Sequence, residues 1–242
     1  MNQEQERLIV ALDVSTADQA RQIVRALGNT VSNYKIGKQL FTAEGPAIVR
    51  ELLQSGLKIF IDLKFHDIPN TVAGAVTSAC ELGVSMLTVH ASGGRKMLQA
   101  AVEAAHSSAT KPMVLAVTVL TSLKDDELAE IGVSGRVPDQ VLRLAALARN
   151  CGCDGVIASP NEARQLRNEL GSGFAIVTPG VRPAGAAAGD QARVSTPGQA
   201  IALGASHIVV GRPITEVADP AAAARSILEE IRAATHAALA HH

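Results

Sequence analysis

Residues 60–71 read FIDLKFHDIPNT. The run opens apolar, as a strand does, and closes near Pro69, a residue favoured in the first turn of a helix. Between these lie Asp62, Lys64 and Asp67, in the pattern D-x-K-x-x-D. A strand built only for stability avoids such charges, because taking an ion out of water costs on the order of several kcal/mol even after relaxation. The stretch is therefore a β-to-α transition whose turn is a place to look for chemistry.

The same unit recurs on either side. Strand-like runs fall at 8–14, 32–36, 57–63, 85–90, 112–118, 155–158, 175–178 and 207–210. Helix-like stretches at 16–27, 46–55, 69–82, 94–106, 125–131, 139–150, 161–170, 197–203 and 220–240 alternate with them. Eight strands, each followed by a helix, predict an α/β fold: a single (β/α)8 TIM barrel over residues 1–242. No repeat, low-complexity tract or linker divides the chain. The strands are rich in Val, Ile and Leu, as parallel strands covered by helices must be. Ser15 or Thr16 can cap the first helix, and Gly56 and Gly83 follow helices. The alternative is an open doubly wound sheet, which usually carries a glycine-rich dinucleotide turn after its first strand. Here that strand ends ALDVST, without G-x-G.

Composition narrows the function. The net charge of −1 gives no nucleic-acid footprint, so an anionic small molecule would need a local cationic pocket. The cysteines, Cys80, Cys151 and Cys153, are too few and odd in number for a disulfide framework, which fits a reducing cytoplasm. Cys151-x-Cys153 lacks zinc-site spacing and reads as packing. No run approaches the ~20 apolar residues of a membrane span, and the polar residues 1–7 do not resemble a signal peptide. A cytoplasmic location with neither membrane nor nucleic-acid partner is expected. The terminal pair His241 and His242 is assigned no role.

In barrel enzymes, chemistry gathers at the C-terminal ends of the strands. Here those ends carry Asp13, then Lys35, then Asp62 and Lys64, with Asp67 in the following loop. Side chains alternate faces along a strand. Lys58, Phe60, Asp62 and Lys64 then share the inner face, as do Ile9, Ala11 and Asp13, while Leu8, Val10 and Leu12 point outward. Acid, base, acid and base from three adjacent strands meet at one level. A structural salt-bridge network is the competing explanation, but apolar replacement is often the more stable solution.

A second cluster follows the last strands. Residues 178–183 read TPGVRP, and 210–212 read VGR. Loops in this topological position commonly bind phosphate; Gly211 lets the backbone approach, and Arg182 and Arg212 supply planar donor forks. The long, small-residue loop at 180–194 has the character of a mobile lid or of a surface insertion. Thr121 and Ser122 after the fifth strand either bind polar substrate groups or cap the next helix. His66 and His90 read as satisfied structural histidines. No set of side chains has metal-ligand spacing, so no metal site is expected.

Taken together, ALDVS, YKIGKQLF, FIDLKFHDIPNT, TVLTS, TPGVRP, GDQARVSTP and VVGRPI, in that order, resemble the orotidine 5'-phosphate decarboxylase family in its bacterial, unfused form. The resemblance implies conversion of orotidine 5'-monophosphate to UMP and carbon dioxide without a cofactor. It implies that Lys64 donates a proton to C6, that Asp62 sits beside the departing carboxyl group, and that Lys35 and Asp67 complete the charge array. It further implies that Asp13 binds a ribose hydroxyl, that Thr121 meets the pyrimidine edge, and that Arg182, Gln191, Gly211 and Arg212 grip the phosphate. Asp67, Ile68 and Thr71 would reach into a neighbouring subunit's site, making a homodimer with shared sites. Two other readings stand beside it. One is a Mg²⁺-dependent decarboxylase or aldolase for a keto-sugar phosphate, since related barrels share D-x-K-x-x-D. The other is a non-catalytic sensor of a phosphorylated nucleotide.

Overall fold

The computed structural model describes residues 3–183 and 195–239. Eight parallel strands close into a barrel in sequence order: β1 (Leu8–Ala11), β2 (Asn33–Gly37), β3 (Lys58–Phe65), β4 (Met86–His90), β5 (Met113–Val117), β6 (Gly155–Ile157), β7 (Ala175–Thr178) and β8 (His207–Val210). The helices are α1 (Gln3–Arg7), α2 (Ala17–Leu27), α3 (Lys38–Glu44), α4 (Pro46–Gln54), α5 (Pro69–Leu82) and α6 (Gly94–His106). They continue as α7 (Asp125–Glu130), α8 (Val137–Asn150), α9 (Pro160–Leu170), α10 (Pro197–Ala202), α11 (Arg212–Thr215) and α12 (Pro220–Leu239). The expected barrel is therefore the fold, and the doubly wound sheet is set aside.

Alternation along the strands separates two apolar layers. Ile9, Ala11, Phe60, Leu115, Val177 and Val209 fill the inside of the barrel. Leu8, Val10, Leu12, Ile59 and Ile61 face outward and pack with the helices. Thr16 caps α2, its side chain accepting from Gln19 N, and Gly83 ends α5 in the left-handed conformation. All three cysteines are free and buried, and burial pushes the Cys153 thiol up to about 12. This suits packing rather than reactivity.

Several boundaries differ from expectation. β1 stops at Ala11, leaving Asp13 beyond the strand, whereas β3 continues to Phe65. α8 starts at Val137 because Asp125 Oδ1 accepts from Val137 N at 2.7 Å, a long-range contact invisible to local pattern. Three short helices, α1, α3 and α11, were not anticipated. α1 covers the N-terminal end of the barrel, where Lys58 Nζ donates to Glu6 Oε1 at 2.9 Å and Asn33 Nδ2 donates to Glu6 O at 3.0 Å. Within α9, the Arg167 guanidinium donates to backbone carbonyls of Gly171, Phe174 and Gly204.

His207 begins β8 at the α1 end, close to Glu6, Arg7 and Lys58. Burial first, then the Arg7 charge, depresses its pKa from 6.5 to about 4, and its Nδ1 is buried without a hydrogen-bond partner among the described residues. The folded chain thus refuses a proton that the unfolded chain accepts below pH 6.5. Unfolding then takes up protons, and stability rises with pH between about 4 and 6.5. Replacing His207 by Gln removes this contribution. The stability difference between the two proteins should vary across that window and stay flat above about pH 7, as measured by urea denaturation at a series of pH values.

Candidate active site

Two neighbouring cavities with lining residues in common lie at the C-terminal end of the strands. The larger, about 480 Å³, is lined by Asp13, Arg182, Gly211 and Arg212 among others. The smaller, about 180 Å³, is mostly apolar, with Phe60, Val117, Leu120 and Ile157 beside a single hydroxyl from Thr121. Lys35, Asp62, Pro179 and Val209 line both. Lys64 lines the smaller cavity at this junction.

The charged groups touch in series. Lys35 Nζ lies 2.7 Å from Asp13 Oδ1 and 3.8 Å from Asp62 Oδ2, and Lys64 Nζ lies 2.7 Å from Asp62 Oδ1. The Lys35 side chain is 9% exposed and that of Asp62 16%, while Asp13 remains 57% exposed. Ions this sheltered are strongly disfavoured alone. Alternation of sign offsets that cost, because each inner group meets an opposite charge on both sides. The expected meeting of Asp13, Lys35, Asp62 and Lys64 is thus realised.

Lys64 reaches the junction by an unexpected route. β3 and β4 pair at Ile61↔Leu87 and again at Phe65↔Val89, so the register shifts between them. Lys64 sits in this bulge with φ of +55°, left-handed for a residue with a Cβ. Simple alternation named the correct face but not the device that presents the side chain. Nor did it single out Thr88, whose hydroxyl touches both the Lys64 backbone and the Asp62 carboxylate.

The other expected residues divide. Thr121, Arg182, Gly211 and Arg212 line the cavities. Arg182 is 8% exposed, and its backbone N donates to Ser195 O at 3.0 Å. Gln191 lies outside the described residues, as does the segment 184–194 of the expected lid. Asp67, Ile68 and Thr71 are exposed and line neither cavity of their own chain. The Asp67 carboxylate accepts from Ile68 N at 2.6 Å, and Ile68 is 66% exposed. His90 stacks on His66 with ring centroids 5.3 Å apart, and its Nδ1 meets Ser92 Oγ at 2.7 Å. Burial first, then the charges of His66, Lys64 and Lys38, holds the His90 pKa below its usual value. Among the described residues, no group of three or more His, Cys, Asp and Glu is arranged to hold a metal.

Residues 6–227 match the Orotidine 5'-phosphate decarboxylase / HUMPS family. The chain belongs to this family. A protein of Sodalis glossinidius named orotidine 5'-phosphate decarboxylase is 53% identical over 226 residues, covering 93% of this chain and 90% of that protein. One of Halorhodospira halophila with the same name is 52% identical over 228 residues, covering 94% and 97%. The crystal structure of orotidine 5'-phosphate decarboxylase from Lactobacillus acidophilus superposes with a TM-score of 0.83 at 41% identity, covering 93% of this chain and 98% of that one. That structure and this chain thus share the barrel over most of their lengths.

Gly37 at the end of β2 gives the charge series a sharp steric test. A Cβ there would lie 2.9 Å from both Asp13 Oδ1 and Lys35 Nζ. Its φ of −90° is open to any residue, so a larger one is opposed only by the tips of the Asp13 and Lys35 side chains, which must shift. Gly37→Ala should push the Lys35 ammonium out of its 2.7 Å contact with Asp13, visible in a crystal structure of the variant. Because both opposing atoms are the ends of flexible side chains, the stability cost by chemical denaturation should fall below the ~1–3 kcal/mol of core overpacking.

Proposed function

We propose that this chain is a cofactor-independent carboxy-lyase that converts orotidine 5'-monophosphate to UMP and carbon dioxide in de novo pyrimidine synthesis. The observation that carries this reading is the charge series at the junction of an apolar slot and an arginine-lined cavity. A flat pyrimidine ring suits the slot, its faces against apolar side chains and its polar edge toward Thr121. The phosphate suits the far side, where Arg182, Gly211 and Arg212 lie; Gln191 is proposed as a further phosphate ligand. Asp13 and Lys35, between the two, suit the ribose hydroxyls.

In the proposed reaction, the C6–carboxyl bond breaks and carbon dioxide leaves. The bonding pair remains on C6. Only groups that favour this carbanion over the starting carboxylate lower the barrier. The Lys64 ammonium does so by charge and then supplies its proton to C6, becoming a neutral amine that solvent reprotonates. Asp62 holds Lys64 in place and opposes the substrate carboxylate, while Lys35 and Asp13 extend the alternation. Phosphate binding at a distance supplies energy for ordering the site. The barrel, taken as one domain of residues 1–242, supplies Lys64, Asp62, Lys35 and Asp13 to its own site.

A homodimer with shared sites is part of this proposal. Asp67, Ile68 and Thr71 stand exposed outside their own cleft, which suits a role in a partner's site. No helix among the described residues is long and apolar enough to cross a membrane, and a cytoplasmic enzyme acting on a small molecule is proposed.

The loss of orotidine 5'-monophosphate absorbance, followed with purified protein in excess chelator, tests the reading. Full activity is expected. Activity that requires added Mg²⁺, or a keto-sugar phosphate as the only substrate, would overturn it, and tight UMP binding without turnover would point to a sensor. Lys64→Ala should abolish turnover while changing UMP affinity by less than about tenfold, because the lost group acts mainly in the transition state. Mixing Lys64→Ala with Asp67→Ala protein should restore partial activity, since a mixed dimer retains one intact site. No recovery despite demonstrated subunit exchange would refute site sharing.

A further inference from the structure

The bulge that presents Lys64 needs an explanation, because nothing about an isolated strand would hold it. Between the pairs Ile61↔Leu87 and Phe65↔Val89, β3 contributes Asp62, Leu63 and Lys64, whereas β4 contributes only Thr88. Regular parallel pairing cannot satisfy that stretch of β3. A non-glycine residue at φ of +55° adds about 1–3 kcal/mol of backbone strain. The surroundings must over-determine such a conformation for it to persist.

Thr88 is the group that does this. It is completely buried on the inner face of β4. Lys64 N donates to Thr88 Oγ1 at 2.9 Å, replacing the strand carbonyl that the bulge removes. Thr88 Oγ1 in turn donates to Asp62 Oδ1 at 3.0 Å. The hydroxyl has one proton, and accepting from the Lys64 amide directs that proton toward the carboxylate. Asp62 Oδ1 also receives Lys64 Nζ at 2.7 Å, so Thr88 and Lys64 both hold the same oxygen. Oδ2 is left turned toward Lys35, at 3.8 Å. Thr88 thereby fixes three things at once: the left-handed backbone of Lys64, the rotation of the Asp62 carboxylate, and the direction from which Lys64 Nζ faces the cavity. β-Branching restricts its own side-chain rotation.

We propose that Thr88 is a positioning residue for the Lys64–Asp62 pair, acting through a hydroxyl relay from the Lys64 amide to the Asp62 carboxylate. Its kinetic consequence rests on the decarboxylase reading above; its structural consequence does not. Thr88 touches no part of the substrate in this scheme, so its removal should leave binding of the phosphate and ribose in place.

Thr88→Val keeps the shape and removes the hydroxyl, whereas Thr88→Ser keeps the hydroxyl. For Val, kcat should fall by about a hundredfold, the scale on which small misplacement of a reacting group is felt, with KM and UMP affinity within about threefold of wild type. Ser should recover kcat to within about fivefold of wild type, since both hydrogen bonds survive. The Lys64 amide, followed by NMR hydrogen exchange, should exchange at least about tenfold faster in Val than in wild type or Ser. Near-normal kcat in Val, or an equal loss in Ser and Val, would overturn the proposal. Wild-type protein inactive toward orotidine 5'-monophosphate would instead overturn the decarboxylase reading. In that case the exchange measurement still decides, and unchanged protection of the Lys64 amide in Val would refute the relay.

Discussion

The carboxylate of Asp62 is shared between two ammonium groups. One oxygen meets Lys64 Nζ at 2.7 Å, and the other faces Lys35 Nζ at 3.8 Å. Because the Asp62 side chain is only 16% exposed, water screens these contacts weakly. Moving any member therefore disturbs the rest. Lys35 is tied to Asp13, Gly37 leaves room for that tie, and Lys64 depends on a bulge in β3. Such a network is a poor device for stability, since apolar side chains of similar volume often serve better. It is a good device for holding a proton and a negative charge in fixed positions while a bond breaks nearby.

The barrel explains why the network can be assembled. Closure places β1, β2, β3 and β4 side by side, so four successive strands can each deliver a polar group to one level. Below that level the interior is filled by Ile9, Phe60, Leu115, Val177 and Val209. Above it, the cleft divides into an apolar slot and a cavity with Arg182 and Arg212. The division matches a ligand with a flat ring at one end and an anion at the other. The reacting atoms of such a ligand would lie where the two parts meet, beside Lys64 and Asp62.

Much of this was legible in the sequence, and the physical reasons are specific. Each barrel strand had a dense apolar pattern, so all eight were located. Their alternation correctly assigned Ile9 and Ala11 inward and Leu8, Val10 and Leu12 outward. The charged strand ends and the motif order led to the cleft and to the family. What escaped depends on contacts distant in sequence. Val137 begins α8 because of Asp125, and α3 and α11 are too short to show a helical period. Thr88 is a β-branched residue within a strand-like run, and its type and position carry no local signal of a special role. Its importance appears only when the register of β3 against β4 is known. Asp67, Ile68 and Thr71 drew attention through the motif, yet the isolated chain turns them away from its own cleft.

The central claim is that Lys64 protonates a carbanion formed at C6. It is tested most directly by running the reaction in deuterium oxide with chelator present and examining the UMP formed. An ammonium exchanges its protons with solvent, so the product should carry one deuterium at C6, and Lys64→Ala should form no product. UMP bearing only protium at C6, or the same deuterated product formed at a normal rate by Lys64→Ala, would contradict the claim.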